Sequence, residues 1–461
     1  MRLSVPTRRR ELGRAAITVV LAAVVLVVGG SALAFAAARG HHARTHHAGA
    51  GGSPSISSIP WGTFDGQQVN LYSLNSGRGM TVKITNFGAT VQSILVPDRR
   101  GNVTNVALGF PTLSDYVNDF LQGHTGVPWP LSGGSGNTYF GATIGRYANR
   151  IANHSFTMTC TGCSNNGVTY TLPANNGTNT LHGGDLGWNT KVWSATEEPG
   201  AGSVGLKLTL TSPDGDEGFP ATVATTVTYT LSRNNALSIH YSATNQEPSG
   251  GKATVINLTN HTYFNLAGEG SGPVFDQRLL LNANQYTPID TSFIPTAPYF
   301  LSVTGTPFDF LKMKPIGRDI TNLNMSDGTA GTPYGDNGVF KQLVIAHGYD
   351  HNWVINGSGF RLAAVAQDPT DGITLSTYTD QPGVQVYTGN FLVGDLSGPS
   401  GQTYRQTSAF TLETQHYPDT PHHIGEAGWP SVVLNAGHTF TSTTTFQFST
   451  AGQGPRQHTR F

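Results

Sequence analysis

Period-two alternation governs the chain from Trp61 onward and leaves few architectures open. In "GLKLTLTSPDG", Leu206, Leu208 and Leu210 alternate with Lys207, Thr209 and Thr211. "TVATTVTYTLS", "ALSIHYSATNQ" and, near the C-terminus, "TFTSTTTFQFST" repeat the pattern with β-branched and aromatic residues. Such alternation puts one side-chain set on each face of a pleated strand. Turn sequences such as "SPDGDEG", "NNG" and "SGPSG" separate the runs, and no amphipathic helix of three turns stands out after residue 60. Many short strands joined by such turns predict an all-β fold, a large antiparallel β-sandwich spanning residues 61–450 as one domain. No repeat of fixed period appears, which argues against a propeller.

The flanks read differently. "MRLSVPTRRR" is basic, and Ala15–Ala38 carries no charge. A basic start, an apolar run and small residues at Ala34-Phe35-Ala36 or Ala36-Ala37-Ala38 read as an export signal over residues 1–38, with a retained signal anchor as the alternative. Either reading places the protein outside the cytoplasm, secreted or anchored. Residues 39–60, rich in Gly, Ser and His, form the expected flexible linker. His41, His42, His46 and His47 fit a solvated tether better than a chelating cluster. Residues 451–461 form a polar tail. The only cysteines, Cys160 and Cys163 in "TCTGCSNNG", lack a second pair for zinc and a βαβ context for redox chemistry. A local disulfide across a Thr161–Gly162 turn is expected.

Charge narrows the function. Only 11% of residues are Asp, Glu, Lys or Arg, and the net charge is −1. That argues against nucleic acid, which calls for a basic face, and suits a neutral, hydroxyl-rich ligand. Rare polar groups then appear beside aromatics and glycines: Asn149 and Arg150 in "YFGATIGRYANRIAN", His182 in "NTLHGGDLGWN", His261 in "NLTNHTYFNLAG", Asp350 in "HGYDHNWVING", Gln385 in "GVQVYTGNFL" and Glu413 in "FTLETQHYPDTPHH". A carboxylate such as Glu413, which follows Phe410, Thr411 and Leu412, is either paired or raised in pKa by desolvation. Two histidines, an arginine, two carboxylates and two amides form a set suited to a neutral polyol, with aromatic rings for its apolar face. No P-loop, GxGxxG turn or zinc spacing is present, so no metal, nucleotide or redox cofactor is expected.

In order along the chain, "NFGATVQSILVPDRRGNVTNVALGF", "GATIGRYANRI", "LHGG", "SPDGDEGFP", "NHTYFNL", "PFDF", "YDHNWV", "QVYTGNF" and "LETQHYPD" resemble the aldose 1-epimerase (galactose mutarotase) family over Trp61 to Ser449. The resemblance implies a large β-sandwich with an open sugar-binding cleft and interconversion of α and β anomers of free aldoses such as glucose and galactose. By motif it implies His261 as proton donor and Glu413 as general base. Asn149, Arg150, His182, Tyr263, Asp350 and Gln385 are implied as sugar-contacting residues.

The chemistry is consistent with those roles. Mutarotation needs the anomeric hydroxyl to lose a proton while the ring oxygen gains one, so one base and one acid must flank the C1–O5 unit. Glu413 as carboxylate and His261 as imidazolium satisfy this, provided burial does not depress the histidine. Long Gly- and Pro-rich stretches precede Arg150 and Asp350 and are expected to rim the cleft. The alternatives are a non-catalytic carbohydrate-binding protein, which would lose the acid or the base, and a carbohydrate-cleaving enzyme built on Asp350 and Glu413.

Overall fold

The computed structural model describes residues 52–122, 136–321 and 340–450. The segment read above as an export signal, most of the expected linker, the C-terminal tail and parts of both Gly-rich stretches lie outside the described residues.

The chain forms antiparallel sheets. The largest has nine strands in the order Ser194–Glu198, Ser203–Ser212, Val223–Ser232, Ala236–Asn245, Thr439–Thr450, Ile373–Thr379, Arg361–Gln367, Arg278–Leu281 and Lys314–Pro315. Strand Val223–Ser232 shows why it forms: Val223, Thr225, Val227, Tyr229 and Leu231 are buried, and the residues between them are partly exposed. A five-stranded N-terminal sheet runs from Ser55–Phe64 to Val103–Asn105. A second five-stranded sheet, called the cleft sheet below, has the order Leu301–Ser302, Ala283–Thr287, Asp350–Ile355, Gly383–Tyr387, Glu413–Gln415.

One apolar cluster ties the three together, with Val82, Ile84 and Ile94 from the first strands, Leu206, Leu208 and Tyr229 from the large sheet, and Trp353, Val384 and Val386 from the cleft sheet. Each fully buried aliphatic or aromatic side chain there contributes roughly 1.5–3 kcal/mol of transfer free energy. The longest helix among the described residues, Leu113–Phe120, has eight residues and starts with a Thr112–Asp115 capping box.

The linker boundary needs correction. Residues 55–60, expected to be flexible, form the first half of strand Ser55–Phe64, paired with Gln67–Asn75. That strand is a sheet edge and is mostly exposed. Edge strands tolerate serine and proline, so the composition resembles a tether. Cys160 and Cys163 are joined by a disulfide in the loop connecting the paired strands Ser155–Thr157 and Thr169–Thr171.

Candidate active site

The cleft sheet separates two chemistries by pleat alone. Asn352 pairs with Gln385 and Gln385 with Glu413, while Asp350 pairs with Tyr387. Residues two apart share a face, so Asp350, Asn352, Gln385, Tyr387, Glu413 and Gln415 lie on one side. His351, Trp353, Val384 and Val386 lie on the other, against the core. Over the polar face opens a cavity of about 360 Å³, within the range of small-molecule sites.

A second wall comes from the short ladder Arg150–Ile151 with Thr180–Leu181, in which Leu181 lies opposite Arg150. Asn149 and His182 cap this ladder with φ of 63° and 52°, a left-handed geometry for which Asn and His are among the better non-glycine residues. The two are mutually bonded: the His182 N–H donates to the Asn149 carbonyl at 3.1 Å, and the Asn149 N–H donates to His182 Nδ1 at 3.2 Å. Because Nδ1 accepts, the neutral ring carries its proton on Nε2, an assignment made from the bond. His182 is therefore a donor into the cavity.

His261 follows strand Thr259–Asn260 and precedes Tyr263–Phe264. Its backbone is held on both sides, N–H to Ala142 O at 2.9 Å and carbonyl from Gly141 N–H at 3.0 Å. The neighbouring amides are consumed in structure: Asn257 holds Ala148 and His416, Asn260 holds Gly141, and Asn265 holds Gly272 and Ser408. That leaves His261 and Tyr263 as the residues of this segment that line the cavity.

His261 Nε2 lies 3.5 Å from Glu413 Oε1, and Thr411 Oγ1 donates to the same carboxylate oxygen at 2.8 Å. Both groups are buried, with 4% and 2% exposure. Burial pulls the histidine down to about 3 and pushes Glu413 up to about 8. Burial likewise raises Asp350, against the opposing pull of Arg150 and Gln385, and holds His182 well below its usual range. Arg150 lies 3.9 Å from Asp350 Oδ2, donates to Asn176 Oδ1 at 3.0 Å and stacks 4.7 Å from the Phe293 ring centre.

His182, His261 and Glu413 bring ligand-type atoms within 4.8 Å of one another. Metal ligation through His182 Nε2 would need a lone pair where the Asn149 bond keeps a proton. The trio suits hydroxyl groups better than a cation.

Asn149, Arg150, His182, His261, Tyr263, Asp350 and Glu413 all line this cavity. Three expectations change. Gln385 does not line it; the side chain sits behind Asp350 and donates to its Oδ1 at 2.7 Å. The acid and base do not face each other across a sugar-sized gap but stand side by side. Burial also depresses His261 and raises Glu413, which disfavours a resting imidazolium–carboxylate pair. Sequence reasoning missed Tyr139, Asn176, Phe293 and Tyr387 in the lining. The alternation signal could have found Tyr387, two residues from Gln385. Asn176 and Phe293 are loop residues without periodic signal.

The sequence profile of the family described as aldose 1-epimerase matches residues 70–137 and 127–447. Galactose mutarotase of Rattus norvegicus is 35% identical over 387 residues, covering 84% of this chain and 96% of that protein. Aldose 1-epimerase of Haemophilus influenzae is 34% identical over 385 residues, covering 83% and 97%. The crystal structure of galactose 1-epimerase from Lactobacillus acidophilus superposes with a TM-score of 0.67 at 25% identity, covering 86% of this chain and 99% of that one. The extracytoplasmic location expected from residues 1–38 is overturned by these relatives: they are mutarotases and epimerases matched along nearly their whole length, and the family match begins only at residue 70. Among the described residues no helix is long and apolar enough to cross a membrane.

Proposed function

The chain belongs to the aldose 1-epimerase family, and on that premise we propose that its cavity binds a free aldose such as glucose or galactose and interconverts the α and β anomers, with Glu413 and His261 exchanging protons with the sugar. The observation that carries the reading is the 3.5 Å contact between His261 Nε2 and Glu413 Oε1 inside a buried polar cavity. The anomeric hydroxyl and the ring oxygen are bonded to the same carbon. Two groups in contact, side by side, are placed to serve that pair of oxygens.

The proton balance works as follows. With the proton on His261, the Glu413 carboxylate takes the hydrogen of the anomeric hydroxyl, His261 gives its own to the ring oxygen, and the C1–O5 bond breaks to the free aldehyde. The pair is then left as neutral histidine and protonated Glu413, the form that burial favours in the resting protein. Rotation about C1–C2 presents the other carbonyl face. The C5 hydroxyl then closes the ring while His261 receives its hydrogen and Glu413 returns one to the carbonyl oxygen. Both forms of the pair have the same net charge and proton count, so moving between them requires only a proton shift across an existing contact. Arg150, Asp350, Asn176 and the His182 Nε2–H supply donors and acceptors for the remaining hydroxyls. Tyr263, Tyr387 and Phe293 supply ring faces for the sugar's apolar surface.

Polarimetry of freshly dissolved α-D-glucose and α-D-galactose tests the reading: the protein speeds the approach to the equilibrium rotation, and His261→Asn slows it by about 10²–10⁴-fold, the usual worth of a positioned acid or base. A His261→Asn variant with the parent's rate removes the histidine from the chemistry.

A further inference from the structure

Behind the carboxylate lies a second polar cluster that the cavity does not use. Asn352, Gln385 and Gln415 are exposed by 1%, 2% and 0%, and none of them lines the cavity. Asn352 Oδ1 and Nδ2, Gln415 Oε1 and Nε2, Gln385 Oε1 and Glu413 Oε2 all lack a hydrogen-bond partner. Gln385 Nε2 is already committed to Asp350. These groups are neighbours by register: Asn352 opposite Gln385, Gln385 opposite Glu413, and Gln415 opposite Gly383. Asn352 leans over Gly383, where its Oδ1 and the Tyr417 ring crowd the point at which a Cβ would stand. The Asn352 and Gln415 side chains thus stand on either side of the bare Gly383, on the same face as the carboxylate.

Buried amides and carboxyls are rarely left unmatched. Four acceptor atoms and two NH₂ groups share this face of the sheet, a mixture that a molecule both donating and accepting can match. We infer that Asn352, Gln385 and Gln415 enclose bound water against the rear oxygen of Glu413, and that this small hydrated chamber positions the carboxyl group for proton exchange with the sugar. Water bridging two to four such partners is a normal structural element of protein interiors. Its hydrogen bonds to Oε2 favour the ionised carboxylate, the form that accepts the anomeric proton. Asn352 and Gln415 act through Glu413 and are positioning residues. The inference rests on the proposed role of Glu413.

The test is the pH–rate profile of mutarotation for Gln415→Met and Asn352→Leu, which keep approximate size and remove the hydrogen-bonding atoms, beside Glu413→Gln. In each apolar variant the alkaline limb moves up by about one pH unit and kcat falls about tenfold, with KM held. An unmoved profile in a folded variant, with the damage confined to Tm or KM, overturns the chamber. A crystal structure of the parent protein keeps the test decisive if the variants do not fold. Ordered water bonded to Glu413 Oε2 and to Gln415 supports the inference; amides bonded directly to one another and to Oε2 overturn it. Glu413→Gln with the parent's rate would instead remove the underlying role, a distinguishable result.

Discussion

The cavity and the core layer behind it bury histidines to similar depth. His261 on the cavity side and His351 on the core side are both pulled to about 3 by burial. Their hydrogen bonding differs. His351 Nδ1 accepts from the Asp350 N–H at 3.2 Å, and its Nε2 meets Gln342 Oε1 at 3.0 Å. His261 Nδ1 has no partner, and Nε2 has only the 3.5 Å approach to Glu413.

The same contrast divides two arginines four residues apart. Arg146 donates to Pro220, Ala221, Ser212 and Pro213 carbonyls and to the Ser212 hydroxyl. Arg150 has Asn176, a distant Asp350 and one ring face. Burial and pKa do not distinguish the cavity residues from the core ones here; the cavity pair makes fewer side-chain hydrogen bonds.

Four experiments press on that contrast. The largest effect is expected from Glu413→Gln, which lowers the polarimetric rate by about 10²–10⁴-fold without loss of stability. A comparable fall in Tm alongside the lost rate would show that the carboxyl is structural after all. Next, Arg146→Met strands the buried carbonyls of Ser212, Pro220 and Ala221 and costs about 3 kcal/mol or more in urea unfolding, with the surviving folded fraction fully active. Arg150→Met does the reverse, raising KM about tenfold or more with little change in the unfolding midpoint.

Third, His351→Phe leaves the mutarotation rate intact and costs about 1–3 kcal/mol for the lost bonds to the Asp350 N–H and to Gln342 Oε1, which keeps the Ile289 N–H. Because the folded pKa of His351 is depressed, its contribution is present above the unfolded value of about 6.5 and is lost as pH falls towards 3. The variant's stability deficit therefore shrinks between pH 6.5 and pH 4. Smallest is the mirror effect at Glu413. Its folded pKa is raised, so its contribution is present below about 4.5 and is lost as pH rises through about 8. Glu413→Gln becomes progressively more stable than the parent over that interval, and parallel Tm–pH curves would break the comparison.

Much of this was legible in the sequence, for specific reasons. Strands such as Val223–Ser232 carry their alternation openly, so the all-β antiparallel class could be read directly. Strand Ser55–Phe64 could not, because an exposed edge has no buried face to pattern its residues. In the site, His261, Glu413 and Arg150 stand out as rare polar groups in apolar company. Gln385 and Tyr387 share a face, and alternation cannot say which of them reaches the ligand. Asn176 and Phe293 sit on loops whose course depends on tertiary packing. The depressed histidine was out of reach because desolvation is a property of the assembled cavity.

The reciprocal bond between Asn149 and His182 has a further consequence. Main-chain atoms on a short ladder, and not a choice among rotamers, fix where this donor points. A sugar arriving there finds the donor already aimed, so little ordering cost falls on binding at that edge.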